Sequence, residues 1–269
     1  MKIAFQGEPG AYSEQAVFNY FGTVETKPCE SFETVFDAVV SDECKFGLIP
    51  IENSLAGSIH QNYDLLLRHD LHIVGEYLLR VQHCLIALPG VKKEDIKKAI
   101  SHPQALGQCA AYLRGLGIKP EHGYDTAGSV KILKESGARD TAAIASRRAA
   151  ELYGMQILEE GIEDNAENYT RFLAISKNAV QPEGEAKTSI VFTLKNQPGG
   201  LFKALSVFAL RDIDLTKIES RPLQGTPWDY LFYIDFIGAT HEEATRKALD
   251  HLSEYALTMR VLGSYPRFK

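Results

Sequence analysis

From Leu71 to Leu88 the chain runs as a long strand-rich stretch with little helical signal and no strong turn, inside a sequence that otherwise alternates strands and helices. A second such strand, Tyr169 to Ile175, arrives after the last strand–helix pair. Two strands of this kind read as crossovers that leave one α/β lobe for another and later return. That predicts a cleft between two lobes, with strand ends facing into it. The alternation around them is explicit. Ile3 to Phe5 leads through Gly7-Glu8-Pro9-Gly10 into a helix from about Tyr12, and Phe46 to Ile51 leads through Glu52-Asn53-Ser54 towards a helix carrying Leu65, Leu66 and Leu67. Ile100-Ser101 precedes Pro103, placed as a first helical residue ahead of an apolar face of Leu106, Cys109 and Leu113. Ala142 to Ala145 precedes Ser146, a candidate N-cap. Repeated βα units imply a mostly parallel sheet with helices on both faces.

The polar, Pro- and Gly-containing stretch 177–187 lacks periodicity and marks a boundary, so residues 1–178 read as one domain, 179–187 as a linker and 188–267 as a second domain. In the second domain Ser189 to Leu194 is a strand and Leu201 to Leu210 a helix entered through Pro198-Gly199-Gly200. Strands from Ile213 to Pro222 and Asp229 to Ile237 flank a Gly225-Thr226-Pro227 turn. A helix from Glu242 to Tyr255 and a strand from Leu257 to Leu262 complete a ferredoxin-like βαββαβ unit. In the strand before Pro222 the apolar phase moves from Ile213 and Leu215 to Ile218, which points to a bulge or an interface edge. Tyr230, Phe232 and Phe236 alternate with Leu231, Tyr233 and Ile237, so both faces of that strand are apolar. One face packs on helices and the other predicts a partner, hence an oligomer.

Several function classes are disfavoured. A net charge of −6 over 269 residues, with no local Lys/Arg cluster, argues against nucleic-acid binding and leaves any dianionic substrate to be held by local groups. No stretch approaches the ~20 apolar residues of a membrane span. The start, Met1-Lys2-Ile3-Ala4-Phe5-Gln6, enters a strand without a signal core, so a cytoplasmic location is expected and a transported-solute binding protein is not. Cys29, Cys44, Cys84 and Cys109 form no C-x-x-C pair and read as buried thiols; the histidines show no metal-ligand spacing. Gly7-x-x-Gly10 has the spacing of neither a dinucleotide fingerprint nor a P-loop.

What remains points to a small anionic, ring-bearing ligand. Asn168-Tyr169-Thr170-Arg171-Phe172 spends strand positions on polar groups where aliphatics are usual. Alternation puts Asn168, Thr170 and Phe172 on one side and Tyr169 and Arg171 on the other, so Thr170 is placed in the site. Arg171 either contacts substrate or forms an ion pair behind the wall. Three turns at strand ends, Gly7 to Ser13, Glu52 to Gly57 and Ser101 to Gln108, offer backbone N–H groups and neutral side chains to a carboxylate. Gly10, Ser13, Ser54 and Gln104, with Arg171 and Phe172, are the candidate substrate contacts. His102 stands out among the histidines because it lies inside one of these turns.

Six motifs in order resemble the prephenate dehydratase family with its ACT regulatory domain: Gly7-Glu8-Pro9-Gly10-Ala11-Tyr12-Ser13, Pro50-Ile51-Glu52-Asn53-Ser54, His83-Cys84-Leu85, Ser101 through Cys109, Asn168 through Phe172, and Ile218-Glu219-Ser220-Arg221-Pro222. The resemblance covers nearly the whole chain. With no helical chorismate mutase segment ahead of Met1, it is to the monofunctional form. It implies a two-lobed catalytic domain similar to a periplasmic binding protein, with prephenate converted to phenylpyruvate by loss of water and carbon dioxide and no cofactor. It carries catalytic roles onto Thr170, Asn53, Ser101 and Gln108. It also implies feedback inhibition by L-phenylalanine, bound where two ACT domains of a homodimer or tetramer meet. The effector loop corresponds to Pro198-Gly199-Gly200-Leu201, with Gly200 where Ala is usual; Asn196, Glu219 and Ser220 are further polar candidates. Arogenate dehydratase and a non-catalytic amino-acid sensor are the alternative readings.

Overall fold

The computed structural model of the chain describes residues 1–223 and 230–268; the expected Gly225-Thr226-Pro227 turn and the start of the strand expected from Asp229 lie outside them. In chain order the elements are β1 (Lys2–Gln6), α1 (Tyr12–Phe21), β2 (Glu25–Cys29), α2 (Phe32–Val40), β3 (Phe46–Asn53), β4 (Gly57–Ser58), α3 (His60–Arg68), β5 (His72–Arg80), β6 (Cys84–Ala87) and β7 (Lys98–Ser101). There follow α4 (Pro103–Gln108), α5 (Ala110–Gly115), β8 (Lys119–His122), α6 (Thr126–Ser136), β9 (Thr141–Ala145), α7 (Arg147–Tyr153), β10 (Gln156–Glu160) and β11 (Tyr169–Ser176). The last six are β12 (Ala186–Leu194), α8 (Gly200–Ala209), β13 (Leu215–Pro222), β14 (Tyr230–Ile237), α9 (Glu243–Ser253) and β15 (Ala256–Pro266).

The Leu71–Leu88 stretch does cross between sheets. Its first half is β5, in a sheet of order β2-β1-β3-β11-β5 with β4 on β3, and its second half is β6, in a sheet of order β10-β6-β9-β7-β8. β11 then returns to the first sheet, so the two-lobed α/β arrangement holds. The sheets are mixed, however. β1 runs parallel to β2 and β3, and β7 to β8 and β9, but β6 is antiparallel to both β9 and β10. The reason is that β6 follows β5 with no intervening helix, so no right-handed βα crossover dictates its direction.

Period-two burial explains the near-continuous apolar runs of the second lobe. Leu85 and Ala87 pack with Ala105, Leu106, Cys109 and Leu113 on one face, while Cys84 and Ile86 pack with Ala127, Val130, Leu133 and Ala149 on the other. The single helix expected after Pro103 is two, α4 and α5. Cys109 leaves helical geometry (φ −118°, ψ 17°), and the Asp164 carboxylate accepts from Ala111 N–H (2.9 Å) and Tyr112 N–H (3.2 Å), capping the new start. Ser146 is the expected N-cap of α7, accepting from Ala149 N–H at 3.0 Å.

The chain divides into two compact units, residues 1–65 with 77–172, and residues 66–76 with 173–269. In the second unit an antiparallel sheet of order β13-β14-β12-β15 carries α8 and α9 on one face over Ile190, Phe192, Val207, Phe208, Ile234, Phe236 and Leu252. The register of β13 against β14 slips between Leu215 and Lys217, the bulge that the shift in apolar phase indicated. On the face away from the helices, Tyr233 and Tyr265 are buried within the chain, and Ser189 Oγ bonds Asp235 Oδ1 (2.5 Å) and the Tyr265 hydroxyl (2.7 Å). Two-sided apolarity there thus has an intramolecular explanation and does not by itself demand a second copy. Segment 66–76 is held in this unit by polar contacts. Arg260 donates to the Leu66, His69 and Leu71 carbonyls, and Lys187 Nζ lies 2.8 Å from buried Glu76. At Gly263 a Cβ would come within 2.0 Å of the Ile73 carbonyl oxygen, so only glycine permits this approach.

Candidate active site

The end of β3 and the start of β11 are neighbours in the first sheet, and this brings Asn53 to Thr170. Ser54 staples the two strand ends. Its hydroxyl donates to the Glu167 carbonyl (2.8 Å) and accepts from Tyr169 N–H (2.9 Å), and its own N–H donates to the Tyr169 carbonyl (2.8 Å). Asn53 is 8% exposed, and its orientation is fixed from both sides. Oδ1 accepts from Leu55 N–H (3.1 Å) and Ala56 N–H (2.9 Å). Nδ2 therefore faces three acceptors: Asn168 Oδ1 (2.8 Å), the Tyr169 carbonyl (3.1 Å) and Thr170 Oγ1 (3.0 Å). With its oxygen occupied by this amide, the Thr170 hydroxyl keeps its own proton available to a ligand.

Thr170 and Asn53 open onto a cavity of about 200 Å³ between the lobes. Ser13 and Phe172 line it from the first lobe, with Gln104 and Gln108 from the second. None of the described lining residues is Asp, Glu, Lys or Arg. Six of the ten candidate catalytic and substrate-contact residues, Thr170, Asn53, Gln108, Ser13, Gln104 and Phe172, are brought together here.

The other four lie elsewhere. Ser101 is fully buried, and its hydroxyl donates to the Ile144 carbonyl of the neighbouring strand at 2.6 Å. Gly10 supports the packing of one lobe on the other. Its carbonyl accepts from the Ser146 hydroxyl (2.6 Å), its N–H donates to Glu14 (2.8 Å), and a Cβ would meet Ala149 Cα at 2.9 Å. Ser54 is the staple. Arg171 points away from Thr170, as alternation requires, with Nη1 3.3 Å from Glu52 Oε1 and its side chain 7% exposed.

Sequence reasoning passed over Tyr12 and His83, both of which line the cavity. The Tyr12 hydroxyl lies 2.7 Å from His83 Nδ1 and 3.0 Å from the Gln82 carbonyl, and the rings meet edge to face at 5.5 Å. His83 Nε2 lies 2.8 Å from Gln108 Oε1. Burial pushes the His83 pKa down, against the upward pull of Gln108 and Glu163, and favours the neutral ring. Burial first, then Cys84, Cys109 and Glu163, pushes the Tyr12 phenol well above its usual range. The one available signal was that both residues stand inside motifs. His102 also lines the cavity, its Nδ1 accepting from Gln104 N–H at 3.2 Å.

In the second unit a smaller cavity of about 120 Å³ is lined by Asn196, Gly200 and Leu201 together with Lys195, Tyr230 and Phe232. Gly199, at φ 75°, turns the chain into α8 just beside it. Glu219 and Ser220 are not among its lining residues; they sit on β13 opposite Tyr233 and Phe232, and Glu219 lies 3.8 Å from Lys217.

Comparison with known proteins agrees with this architecture. Residues 3–180 match the family profile described as prephenate dehydratase, and residues 188–253 match the ACT domain profile. The chain is 50% identical over 277 residues to arogenate dehydratase/prephenate dehydratase 2, chloroplastic, of Arabidopsis thaliana, covering 99% of this chain and 73% of that one. Among solved structures, prephenate dehydratase from Arthrobacter aurescens in complex with L-Phe superposes with a TM-score of 0.91 at 32% identity, covering 99% and 90% of the two chains. A structure described as GqqA, a novel type of quorum quenching acylase, gives a TM-score of 0.93 at 35% identity over 100% and 98%. The chain belongs to the prephenate dehydratase family and carries an ACT domain after the dehydratase domain.

Proposed function

We propose that the chain is a decarboxylating carbon–oxygen lyase that converts prephenate to phenylpyruvate. The bond from ring to carboxylate breaks, and its electron pair completes the aromatic ring. On the opposite ring carbon the hydroxyl leaves with its bonding pair, and one proton drawn from solvent makes it water. The dianion plus a proton gives phenylpyruvate, carbon dioxide and water. Aromatisation drives the change, so the protein has to steady the departing oxygen and hold the ring in place. The observation that carries this reading is the Asn53 amide donating to Thr170 Oγ1, which leaves the hydroxyl proton free to reach the leaving oxygen. Threonine is too weak an acid to protonate hydroxide unaided, so its part is a hydrogen bond that strengthens as charge develops.

Arogenate is the second reading. Its ammonium would find Glu8, Glu30 and Asp125 in an adjoining cavity of about 500 Å³ that shares His102 with the first. Acyl hydrolysis, the activity in the description of the GqqA structure, would need a base to take the proton of Thr170. The amide group bonded to that hydroxyl is a donor and cannot serve. Feedback inhibition by L-phenylalanine is part of the proposal, with the cavity beside Gly199 and Gly200 as its site in a cytoplasmic homodimer. The backbone N–H groups at the start of α8 suit an amino-acid carboxylate.

Ultraviolet detection of phenylpyruvate formed from prephenate, chromatographic detection of phenylalanine formed from arogenate, and the prephenate assay repeated with phenylalanine added test the two substrates and the inhibition. Thr170→Val should lower kcat on prephenate by about 10²–10⁴-fold, the usual worth of a positioned proton donor. Wild-type kcat in a folded Thr170→Val enzyme would remove Thr170 from the mechanism.

A further inference from the structure

His83 is 2% exposed, yet both of its ring nitrogens have partners drawn from different lobes. Nδ1 meets the hydroxyl of Tyr12 on α1 in the first lobe, and Nε2 meets Oε1 of Gln108, which closes α4 in the second. The residue stands in the passage from β5 to β6, one of the two crossings between the lobes. The other crossing is tied to it. Gly161 N–H and Ile162 N–H both donate to the His83 carbonyl (2.9 and 3.2 Å), and His83 N–H donates to the Glu163 carboxylate (2.9 Å). Such a ring has a fixed backbone and fixed neighbours, and its hydrogen-bonding state decides how the Gln108 amide is turned.

An amide can present either its oxygen or its NH₂ group to the cavity. If Oε1 is held by a proton on His83 Nε2, the NH₂ group is left to face the cavity, and no described protein atom accepts from it. That orientation offers a donor to an anionic substrate; the reverse would present a carbonyl oxygen to a carboxylate. A neutral ring protonated at Nε2 also leaves Nδ1 as acceptor for the Tyr12 phenol, whose oxygen lies 2.7 Å from Nδ1 and 3.0 Å from the Gln82 carbonyl, the other acceptor within its reach.

We propose that His83 is a positioning residue: its Nε2–H group locks the Gln108 amide so that its NH₂ group is presented to a substrate carboxylate, and its Nδ1 anchors Tyr12 across the lobes. The inference rests on the reading of the cavity as the prephenate site. His83 itself acts through Gln108 and need not touch substrate.

The test uses the full-length enzyme and compares His83→Asn, His83→Gln, Gln108→Ala and the double variant His83→Asn/Gln108→Ala. Asparagine keeps a polar group near Tyr12 but is too short for Gln108, whereas glutamine carries an amide N–H to about the place of Nε2. Loss of one well-aimed hydrogen bond to a charged group predicts a KM for prephenate raised by about ten- to a hundredfold in His83→Asn. His83→Gln should regain most of that loss. The double variant should be no worse than Gln108→Ala alone, as expected of two residues acting through one contact. A purely structural role would lower kcat through a smaller folded fraction and leave KM unchanged. Wild-type KM in His83→Asn, equal damage in His83→Gln, or multiplying effects in the double variant would overturn the proposal while the wild-type activity stands. Absence of prephenate turnover by the wild-type enzyme would overturn the reading of the site as well.

Discussion

Asn53→Asp is the sharpest test of the Thr170 geometry because it changes one atom and almost no volume. The backbone N–H groups of Leu55 and Ala56 still hold one carboxylate oxygen, so the other takes the place of Nδ2 among Asn168 Oδ1, the Tyr169 carbonyl and Thr170 Oγ1. Of these three, only the Thr170 hydroxyl carries a proton. It must turn that proton onto the carboxylate, which withdraws it from the cavity. The folding cost is modest. The Asn168 amide nitrogen is buried without a described partner, so that side chain can turn over and donate to the new carboxylate. The Tyr169 carbonyl loses one donor and keeps the Ser54 N–H, at about 0.5–1.5 kcal/mol.

The activity cost is larger. If the hydroxyl contributes what positioned donors usually do, kcat falls by about 10²–10⁴-fold, or roughly 3–5 kcal/mol in the barrier. Saturating-prephenate assays of phenylpyruvate formation measure the first quantity and thermal melts the second. Activity should recover in part at a pH low enough to protonate the introduced carboxyl, since a neutral acid no longer captures the Thr170 proton. A variant with wild-type kcat and a normal melt would show that the direction of the Thr170 hydroxyl is irrelevant, and the mechanism would fail with it.

Three further outcomes follow from the packing. Gly10→Ala meets both an unfavourable backbone (φ +91°) and a backbone atom of Ala149 at 2.9 Å, so it should lower stability by more than about 1 kcal/mol, read as a reduced Tm. Glu76→Ala leaves Lys187, whose side chain is 12% exposed, without its carboxylate, and loss of about 3–5 kcal/mol in denaturant unfolding is expected. For His83, burial lowers the folded pKa below the ordinary 6.5, against the opposing pull of Gln108 and Glu163, so the unfolded chain binds the extra proton in that range. Stability present above about pH 6.5 is therefore lost as pH falls towards the folded value; His83→Gln should flatten that part of the Tm-versus-pH curve, and an unchanged curve would refute the assignment.

The fold was legible where local patterns decide it. Two helix-free stretches marked the crossings, and a break in apolar phase between Leu215 and Ile218 marked a bulge. Within the site, strand alternation alone separated Thr170 from Arg171. What escaped were partnerships made at long range. Ser101 reads as a free hydroxyl at a strand end until β7 pairs with β9 and brings up the Ile144 carbonyl. Gly10 reads as room for a ligand until α7 fills it with Ala149. His83 reads as an ordinary core histidine because Tyr12 and Gln108 are 71 and 25 residues away in sequence. The helix after Pro103 breaks because Asp164, well downstream, supplies a cap.

The same alternation has a chemical consequence on the proposed reaction. Departure of carbon dioxide requires a carboxylate to lose its charge, and a cation beside it would stabilise the ground state more than the transition state and slow the step. Consecutive residues of β11 resolve this. Thr170 and Phe172 face the cavity with a neutral donor and an apolar wall, while Arg171 is turned behind the strand towards Glu52. A slip of one residue in the pairing of β11 with its neighbours would exchange the two faces, removing the hydroxyl and introducing the guanidinium together. The bonds that pin this register, Ser54 to Tyr169 and Asn53 to Asn168 and Tyr169, are therefore as much a part of the site as the hydroxyl they hold in place.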